Sequence, residues 1–566
     1  MSESPISNEQ YAAHLPALHL LCNLGWNFLT TAQALAMRGS TREVLLRSRL
    51  VEVLQTRRYE YKGQSYPLSS SGIEQIVREL SALSLIEGLL PANERLYGKL
   101  ALGITVTEFM PDGKKHQPTI PVIDWADPAA NRWDVTEEME VLSAQGTHHR
   151  TPDVVCFVNG LPLVVIEAKR PESTHAGKSM VTEGVSQHLR NQRPDEIPQL
   201  FGYAQLLLAV SQTEGRYGTT GTAAKFWARW REEEFDAAHH ASVKNATLPA
   251  AVRSRLFEGK PAALSSYFDA LWAQPMEPTD QDRLLVSLLT PGRLLEFLRS
   301  YVLFDRKVGK IVARYQQFFG IRALLARIQQ LRPDGGREGG VVWHTTGSGK
   351  SFTMVFLTKA LLLVDALAEC RVVVVTDRVD LEGQLSRNFI SGGAFGSAIA
   401  SLKDGEKSRA LTGRDLARRI GSGTERITFT LVHKFNSASK LPECRNPSPN
   451  LIVLVDEGHR SHGGETHERM KKALPRAAYI AFTGTPLLKD EKTSNKFGPI
   501  VHAYTMQRAV EDETVAPLLY EERVPELTIN EEAVNRWFDK ITAGLSDAQR
   551  GDLKKKFAKK GAIYGA

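Results

Sequence analysis

The feature that most constrains this 566-residue chain is a glycine-spaced loop between an apolar run and an apolar segment. Residues 341–351 read Val-Val-Trp-His-Thr-Thr-Gly-Ser-Gly-Lys-Ser, and the apolar segment 352–364 follows them. The run predicts a buried strand and the segment predicts a helix. A strand, a loop and a helix in this order are typical of α/β folds, in which parallel strands alternate with helices.

The loop has the composition of a phosphate cradle. Two glycines let the backbone bend, so that successive N–H groups and the helix N-terminus face phosphate oxygens. Lys350 adds a positive charge, and Ser351 can bind Mg²⁺. His344 stands where the full pattern begins with glycine, so the match is to a relaxed, helicase-like form of the pattern. The predicted nucleotide-binding residues are Thr346, Gly347, Ser348, Gly349, Lys350 and Ser351.

Length and composition limit the class of protein. A chain of this length predicts two to four domains. No apolar run reaches the roughly 18 residues of a membrane helix, and residues 1–8 lack the order of a signal peptide, so we expect a cytoplasmic protein without a membrane partner. The four cysteines form no CxxC pair, which argues against a zinc site or a disulfide framework. The net charge of +7 suits a polyanionic partner but equally suits a solvated surface.

A second informative stretch covers residues 151–169. Two runs rich in β-branched residues flank Asn159-Gly160, which predicts a β-hairpin. Glu167 and Lys169 share one face of its second strand. A two-residue turn would put Asp153 on the other face, whereas a three-residue loop starting at Val158 would put it on the Glu167 face. We predict that loop, or a bulge with the same effect.

Asp153, Glu167 and Lys169 together predict a phosphodiesterase centre. Two facing carboxylates can hold a divalent cation that activates water and neutralises the pentacovalent phosphorane, while the lysine orients the water. Pro-Asp followed by Glu-x-Lys is the PD-(D/E)xK nuclease pattern, which is short and has an exposed ion pair as its alternative. Glu9 could add a ligand, although a solvated carboxylate is the simpler interpretation.

The context of this hairpin resembles the nuclease domain of the R subunit (HsdR) of type I restriction enzymes. The resemblance rests on residues 159–163, 197–201, 205, 217–222 and 225–230. It implies a Gln-x-x-x-Tyr element that helps to place DNA. Only Gln187 is carried over, because Asn191 stands at the tyrosine position.

Four further motifs follow apolar runs. They are Thr376-Asp377-Arg378, His433-Lys434-Phe435, Asp456-Glu457-Gly458-His459 and Thr483-Gly484-Thr485-Pro486. The alternation of apolar runs with helical segments predicts a parallel sheet, whose ligands bind at the carboxyl ends of the strands. The motifs resemble superfamily-two helicase elements in the form found in restriction subunits.

This resemblance implies a role for each motif residue. Asp456 would hold Mg²⁺ through water, and Glu457 would orient or deprotonate the attacking water. Gln317, in an Arg-Tyr-x-Gln element, would read adenine, with a polar helix face as the alternative. Thr483 and Thr485 would sense the nucleotide. The residues implied to contact the DNA backbone are Thr376, Arg378 and Lys434.

The predicted architecture is α/β: a PD-(D/E)xK nuclease domain, a RecA-like parallel-sheet helicase lobe and an incomplete second lobe. The predicted segments are a nuclease domain (1–274), a linker (275–310), the first lobe (311–500) and a crossing segment (501–566). From Pro486 only 566 − 486 = 80 residues remain, fewer than the ~100 of a typical domain. We therefore expect the N-terminal portion of a longer R subunit.

The resemblance implies an ATP- and Mg²⁺-dependent DNA translocase and endonuclease. It would cut double-stranded DNA together with the modification and specificity subunits of a type I complex. Two alternatives stay open: a stand-alone helicase-nuclease, and a non-catalytic remnant that binds DNA or ATP. A stand-alone enzyme would need its own target-recognition domain, and the sequence contains no recognisable one.

Overall fold

Two six-stranded sheets organise the first compact unit of the chain, residues 1–515. The computed structural model describes residues 9–171, 179–305, 308–376, 409–456, 463–485, 497–516 and 531–557. A second compact unit, residues 516–566, contains the helices Glu531–Ile541 and Asp547–Phe557.

The first sheet holds the predicted hairpin at its centre. Its strands, which lie side by side in chain order, are β1 (Asn27–Leu29), β2 (Trp133–Glu137), β3 (Val154–Val158), β4 (Leu161–Ala168), β5 (Leu206–Ser211) and β6 (Glu214–Gly218). Strand β3 runs antiparallel to both neighbours, and β4 runs parallel to β5. Every residue of β3, β4 and β5 is buried, which explains why these strands read as apolar runs.

The turn between β3 and β4 differs from the predicted loop. Asn159-Gly160 forms a two-residue turn with φ values of 54° and 82°, the left-handed values that a type I′ turn requires. A bulge then shifts the register of the two strands by one residue. Val154 consequently pairs with Ile166, and Asp153 comes level with Glu167. The three-residue loop is wrong, whereas the alternative of a bulge is correct.

The second sheet is entirely parallel. Its strands are β7 (Gly340–His344), β8 (Arg371–Thr376), β9 (Ile427–Leu431), β10 (Leu451–Asp456), β11 (Ala478–Thr483) and β12 (Ile500–Tyr504). Their order is β9-β8-β10-β11-β7-β12, so the strand before the phosphate loop lies between β11 and β12. The α/β class and the helicase-like parallel sheet are confirmed. Strand β12 spans the predicted boundary at residue 500.

Helices and small hairpins surround the two sheets. The described helices before residue 310 are Gln10–His14, Leu15–Asn23, Thr31–Arg38, Arg47–Thr56, Ser70–Ser81, Leu89–Leu102, Pro128–Ala130, Met180–Asn191, Pro198–Tyr203, Ala224–Phe226, Ala237–Lys244, Ala250–Leu256, Ala262–Trp272, Asp280–Leu289 and Pro291–Ser300. Those from 310 to 515 are Tyr315–Gln329, Lys350–Leu363, Asp365–Leu367, Gly413–Ser422, Val432–Ala438, Pro442–Cys444, Gly463–Ala473 and Met506–Glu511. The small hairpins pair Arg58–Tyr61 with Gln64–Pro67, Ile104–Thr105 with Thr119–Ile120, Glu108–Phe109 with Lys115–His116, Val141–Leu142 with His149–Arg150, and Val302–Asp305 with Gly309–Val312.

One continuous apolar core joins the first sheet to one face of the second. The other face of the second sheet packs against a separate cluster that includes Leu416, Ile420, Phe435 and Leu474. Three cysteines, Cys156, Cys370 and Cys444, are buried, as expected for small core residues. None of the described helices combines the length and apolarity that crossing a bilayer demands.

Candidate nuclease and nucleotide sites

Asp153, Glu167 and Lys169 meet on one face of the first sheet. The Lys169 Nζ donates to Asp153 Oδ2 at 2.9 Å and lies 3.6 Å from Glu167 Oε2. The backbone N–H of Ala168 also donates to Asp153 Oδ2, at 2.8 Å. The bulge in the hairpin therefore brings the three predicted nuclease residues together.

The site carries buried charge. Burial, together with the nearby charge of Asp153, raises the pKa of Glu167 well above its ordinary value. Burial alone would lower the pKa of Lys169, but the charges of Asp153, Glu167 and Glu9 hold it above its ordinary value. The Lys169 side chain is therefore positively charged. The Glu167 carboxyl group ionises only where a positive charge offsets the cost of burying its negative charge.

The donor set fits a divalent cation. Both carboxylate oxygens of Glu167 are buried, and neither has a hydrogen-bond partner among the described residues. A buried carboxylate that accepts no hydrogen bond is costly to ionise, and the Lys169 ammonium at 3.6 Å leaves room for a cation to satisfy it further. Within the described ranges, no three His, Cys, Asp or Glu side chains form a metal-binding group. Asp153 and Glu167 would thus supply two ligands, and water and phosphate oxygens the others, as is common for Mg²⁺.

The two other residues predicted for this region are Glu9, directly before the helix Gln10–His14, and Gln187, on the helix Met180–Asn191. The Glu9 carboxylate accepts a hydrogen bond from Lys169 Nζ at 3.1 Å. The helix Met180–Asn191 packs over the same face, and a methyl group at Gly184 would lie 3.5 Å from both Glu167 Cβ and Lys169 Cγ. Gln187 follows Gly184 by almost one helical turn and is half-buried. Sequence reasoning missed Gly184, because only the packed structure reveals this close approach.

The phosphate loop has the backbone conformation that its glycines predict. Gly347 and Gly349 have φ values of 85° and 92°, in the region that favours glycine. The Ser348 Oγ donates to the Thr345 carbonyl at 2.6 Å and closes the turn. The following helix begins at Lys350, so the N–H groups of its first turn face the loop. This geometry can hold an anionic phosphate chain.

Both ends of the Gln317 side-chain amide form hydrogen bonds within the protein. Its Oε1 accepts from the backbone N–H of Arg314 at 2.9 Å. Its Nε2 lies 3.1 Å from the Gly349 carbonyl and 3.3 Å from Thr353 Oγ1, and donates to both. The amide therefore connects the helix Tyr315–Gln329 to the phosphate loop.

Most other motif residues lie at the carboxyl ends of parallel strands. Thr376, Asp456 and Thr483 are the last residues of β8, β10 and β11, and all three are buried. Thr485 follows them as an exposed residue whose N–H donates to Thr483 Oγ1 at 3.2 Å. Lys434 lies in the helix after β9 and donates to the Ala410 carbonyl at 2.8 Å. Arg378 and Glu457 lie outside the described residues.

A cleft of about 280 Å³ opens beside the phosphate loop. Its walls come from the loop, from the helix start at Arg314 and Gln317, and from segments earlier in the chain. The lining residues absent from the predicted set include Thr222, Phe226, Lys310 and Phe352. Sequence reasoning missed Thr222, Phe226 and Lys310 because no local pattern connects their segments to a loop so far along the chain, whereas Phe352 directly follows the loop.

Two family models and several curated relatives match this chain. Residues 6–226 match the family described as the type I restriction enzyme R protein N terminus, and residues 316–551 match the SWI2/SNF2 ATPase family. The chain is 29% identical over 564 residues to the type I restriction enzyme HindI endonuclease subunit of Haemophilus influenzae, covering 95% of this chain and 48% of that protein. It is 27% identical over 573 residues to the putative type I restriction enzyme MjaIXP endonuclease subunit of Methanocaldococcus jannaschii, covering 98% of this chain and 50% of that protein.

Among solved structures, the fragment structure of a putative HsdR subunit from Vibrio vulnificus YJ016 aligns with 81% of this chain and 64% of that chain. Its sequence identity is 14% and its TM-score is 0.25.

The chain thus carries a segment that matches the R-protein N-terminal family, followed by a segment that matches the SWI2/SNF2 ATPase family. It is homologous to the endonuclease subunits of type I restriction enzymes, which confirms the resemblance in its motifs. It spans about half the length of the curated relatives it matches.

Proposed function

We propose that this chain contributes the nuclease and the first motor lobe of a type I restriction R subunit. The whole subunit would translocate and cut double-stranded DNA, using ATP and Mg²⁺, in a complex with modification and specificity subunits. The observation that carries the nuclease assignment is the convergence of Asp153 and Lys169 on the buried carboxylate of Glu167, which accepts no hydrogen bond from the described residues and has the Lys169 ammonium 3.6 Å away.

In the nuclease centre, Asp153 and Glu167 would bind Mg²⁺ from two facing strands. Bound Mg²⁺ would supply a water of lowered pKa and neutralise charge on the phosphate. Lys169, held by Asp153 at 2.9 Å, would orient that water or stabilise the developing negative charge. Gln187, on the helix that packs over this face, would contact the DNA.

In the motor lobe, Thr346 to Ser351 would hold the phosphates of ATP. Lys350 would offset their charge, and Ser351 and Asp456 would hold Mg²⁺. Glu457 would orient the attacking water. The coupling residues Thr483 and Thr485 would respond to the nucleotide, while Thr376, Arg378 and Lys434 would contact the DNA backbone.

The nuclease assignment is tested by cleavage of supercoiled plasmid DNA. The chain with Mg²⁺ should nick or cut the plasmid, and chelation of Mg²⁺ should stop it. Asp153→Asn should reduce the rate by ~10² or more, because it removes a metal ligand from a centre where the cation supplies several kcal/mol. Glu183→Gln, an exposed carboxylate on the overlying helix, is the matched control.

Each outcome separates the alternatives. Full activity of Asp153→Asn would remove Asp153 from the centre. Equal, negligible rates for the unchanged chain and the variant would support the non-catalytic remnant. Co-purification with separately supplied modification and specificity subunits would support the type I complex over a stand-alone enzyme.

The motor assignment is tested by titration with a fluorescent ATP analogue. Lys350→Ala should weaken binding at least ~10-fold, since it removes the charge that faces the phosphates. The exposed Lys472 provides the control variant Lys472→Ala, which should bind as the unchanged chain does. Unchanged affinity in Lys350→Ala would contradict the assigned role.

A further inference from the structure

His344, which replaces the first glycine of the phosphate-loop pattern, is fully buried at the end of β7. Its Nε2 lies 2.9 Å from Nδ1 of His502, on the neighbouring strand β12. The Nε2 of His502 lies 2.8 Å from Oε2 of Glu233. Three side chains from distant parts of the chain thus form one hydrogen-bonded line that ends three residues before the loop glycine 347.

The absence of a side chain at Gly320 leaves room for the two histidine rings. Gly320 lies against both rings, and a methyl group there would be 3.3 Å from His502 Nδ1 and 3.5 Å from His344 Nε2. The ring of Tyr504 stands 6.0 Å from that of His344, centroid to centroid. A side chain at position 320 would therefore press on both imidazoles.

The hydrogen bonds assign a tautomer to each ring. The Glu233 carboxylate only accepts, so Nε2–H of His502 donates to it. When His502 is neutral, its Nδ1 carries a lone pair, which accepts Nε2–H of His344. This leaves a lone pair on Nδ1 of His344, and that atom is buried with no hydrogen-bond partner among the described residues. Burial holds the pKa of His344 well below its ordinary value, in agreement with a neutral ring.

A second contact ties the same segment to the same strand. Arg231 Nε donates to Asp512 Oδ1 at 2.6 Å. The Asp512 carboxylate also accepts from the Tyr504 hydroxyl at 2.9 Å. Residues 231–233, which belong by sequence to the predicted nuclease segment, thus contact β12 directly through Glu233 and, by way of Asp512, through Arg231.

We propose that Glu233, His502 and His344 form a relay that positions the phosphate loop for nucleotide binding. Glu233 and His502 are positioning residues, because they act on the loop through His344. Glu233 sets the tautomer of His502, which sets that of His344, and the paired rings keep β12 aligned with the strand that leads into the loop. The inference rests on the nucleotide-binding part of the proposed function and is independent of the nuclease.

The first test is a titration of the chain with a fluorescent ATP analogue. Glu233→Ala should weaken binding ~10-fold, because it releases the acceptor that orders the relay. Glu233→Gln, which keeps an acceptor oxygen, should restore most of the affinity. The control is Glu234→Ala, whose carboxylate pairs instead with Arg293 and Arg322. The Glu233 side chain is 36% exposed, so its removal leaves no buried void.

The second test measures which nitrogens of the two histidine rings carry a proton. In a chain labelled with ¹⁵N-histidine, the signals of the two rings are assigned by their loss in His344→Gln and His502→Gln. Both rings should be protonated at Nε2 alone, and Glu233→Ala should shift the ¹⁵N signals of His344 as well as those of His502. A role limited to packing would leave His344 unmoved.

The outcomes keep the two proposals apart. If the unchanged chain binds no nucleotide, the proposed motor function fails. If it binds nucleotide and Glu233→Ala binds equally well, the relay is overturned. An unmoved His344 signal in Glu233→Ala also overturns it.

Discussion

Gly484 lies directly against Lys350, with no room for a side chain between the Thr-Gly-Thr turn and the phosphate loop. A methyl group at position 484 would be 3.1 Å from Nζ of Lys350 and 2.7 Å from Oγ1 of Thr346. The Nε1 of Trp343 donates to the Gly484 carbonyl at 3.2 Å and fixes the turn in this place. The turn after β11 and the loop after β7 therefore form one packed surface.

Gly484→Ala should weaken binding of a fluorescent ATP analogue by ~10-fold or more. The added methyl group is too close to Thr346, so that the loop, the turn or Lys350 must shift from its position. Titration of the purified chain measures the effect. Gly98→Ala serves as the control, because a methyl group at that helical position meets no atom within 4 Å.

The control variant Gly98→Ala should bind nucleotide as the unchanged chain does. It should also unfold at a slightly higher temperature, since replacing a helical glycine with alanine gains up to ~1 kcal/mol. If Gly484→Ala bound as tightly as Gly98→Ala, the contact between the turn and the loop would have no part in binding.

Gln317→Ala distinguishes adenine recognition from support of the phosphate loop. Because both ends of the amide are bonded within the protein, we expect affinities for adenine and guanine nucleotides to fall together, by ~5-fold or more. Parallel titrations with ATP and GTP analogues measure the two losses. A loss confined to the adenine nucleotide would show instead that the amide reads the base.

The nuclease hairpin illustrates both what the sequence could predict and what it could not. The shared face of Asp153 and Glu167 follows from strand periodicity once one extra residue is allowed. The position of that residue depends on contacts far from the hairpin. The Asn159 side chain accepts from the N–H of Arg132 and donates to the Val122 carbonyl, which fixes the two-residue turn and leaves the bulge for the strands.

In the motor lobe, too, some features could be predicted from the sequence and others could not. Buried parallel strands read as apolar runs, so the ends of β8, β10 and β11 at Thr376, Asp456 and Thr483 could be predicted closely. The contact between His344 and His502 could not, because no local pattern pairs two residues so far apart. The same is true of side chains that join the phosphate-loop helix to the N-terminal half of the chain.

Lys359 is the clearest of these long-range contacts. It lies in the helix Lys350–Leu363 and is buried. Its Nζ donates to the Tyr97 hydroxyl at 2.7 Å and to the Val302 carbonyl at 2.8 Å. Burial lowers its pKa from 10.5 to about 7.

Lys359 should make stability rise with pH between about 7 and 10.5, because in that window the unfolded chain binds a proton that the folded chain does not. Below about pH 7 the folded and the unfolded chain both bind this proton, so the full cost of burying the charged Lys359 side chain remains. Lys359→Met should therefore raise the free energy of unfolding by ~1–3 kcal/mol at pH 6 and flatten its rise towards pH 9. Urea unfolding at pH 6, 7, 8 and 9 measures both effects, with exposed Lys472→Met as the control. Parallel profiles for the unchanged chain and Lys359→Met would show that Lys359 stays charged in the folded chain.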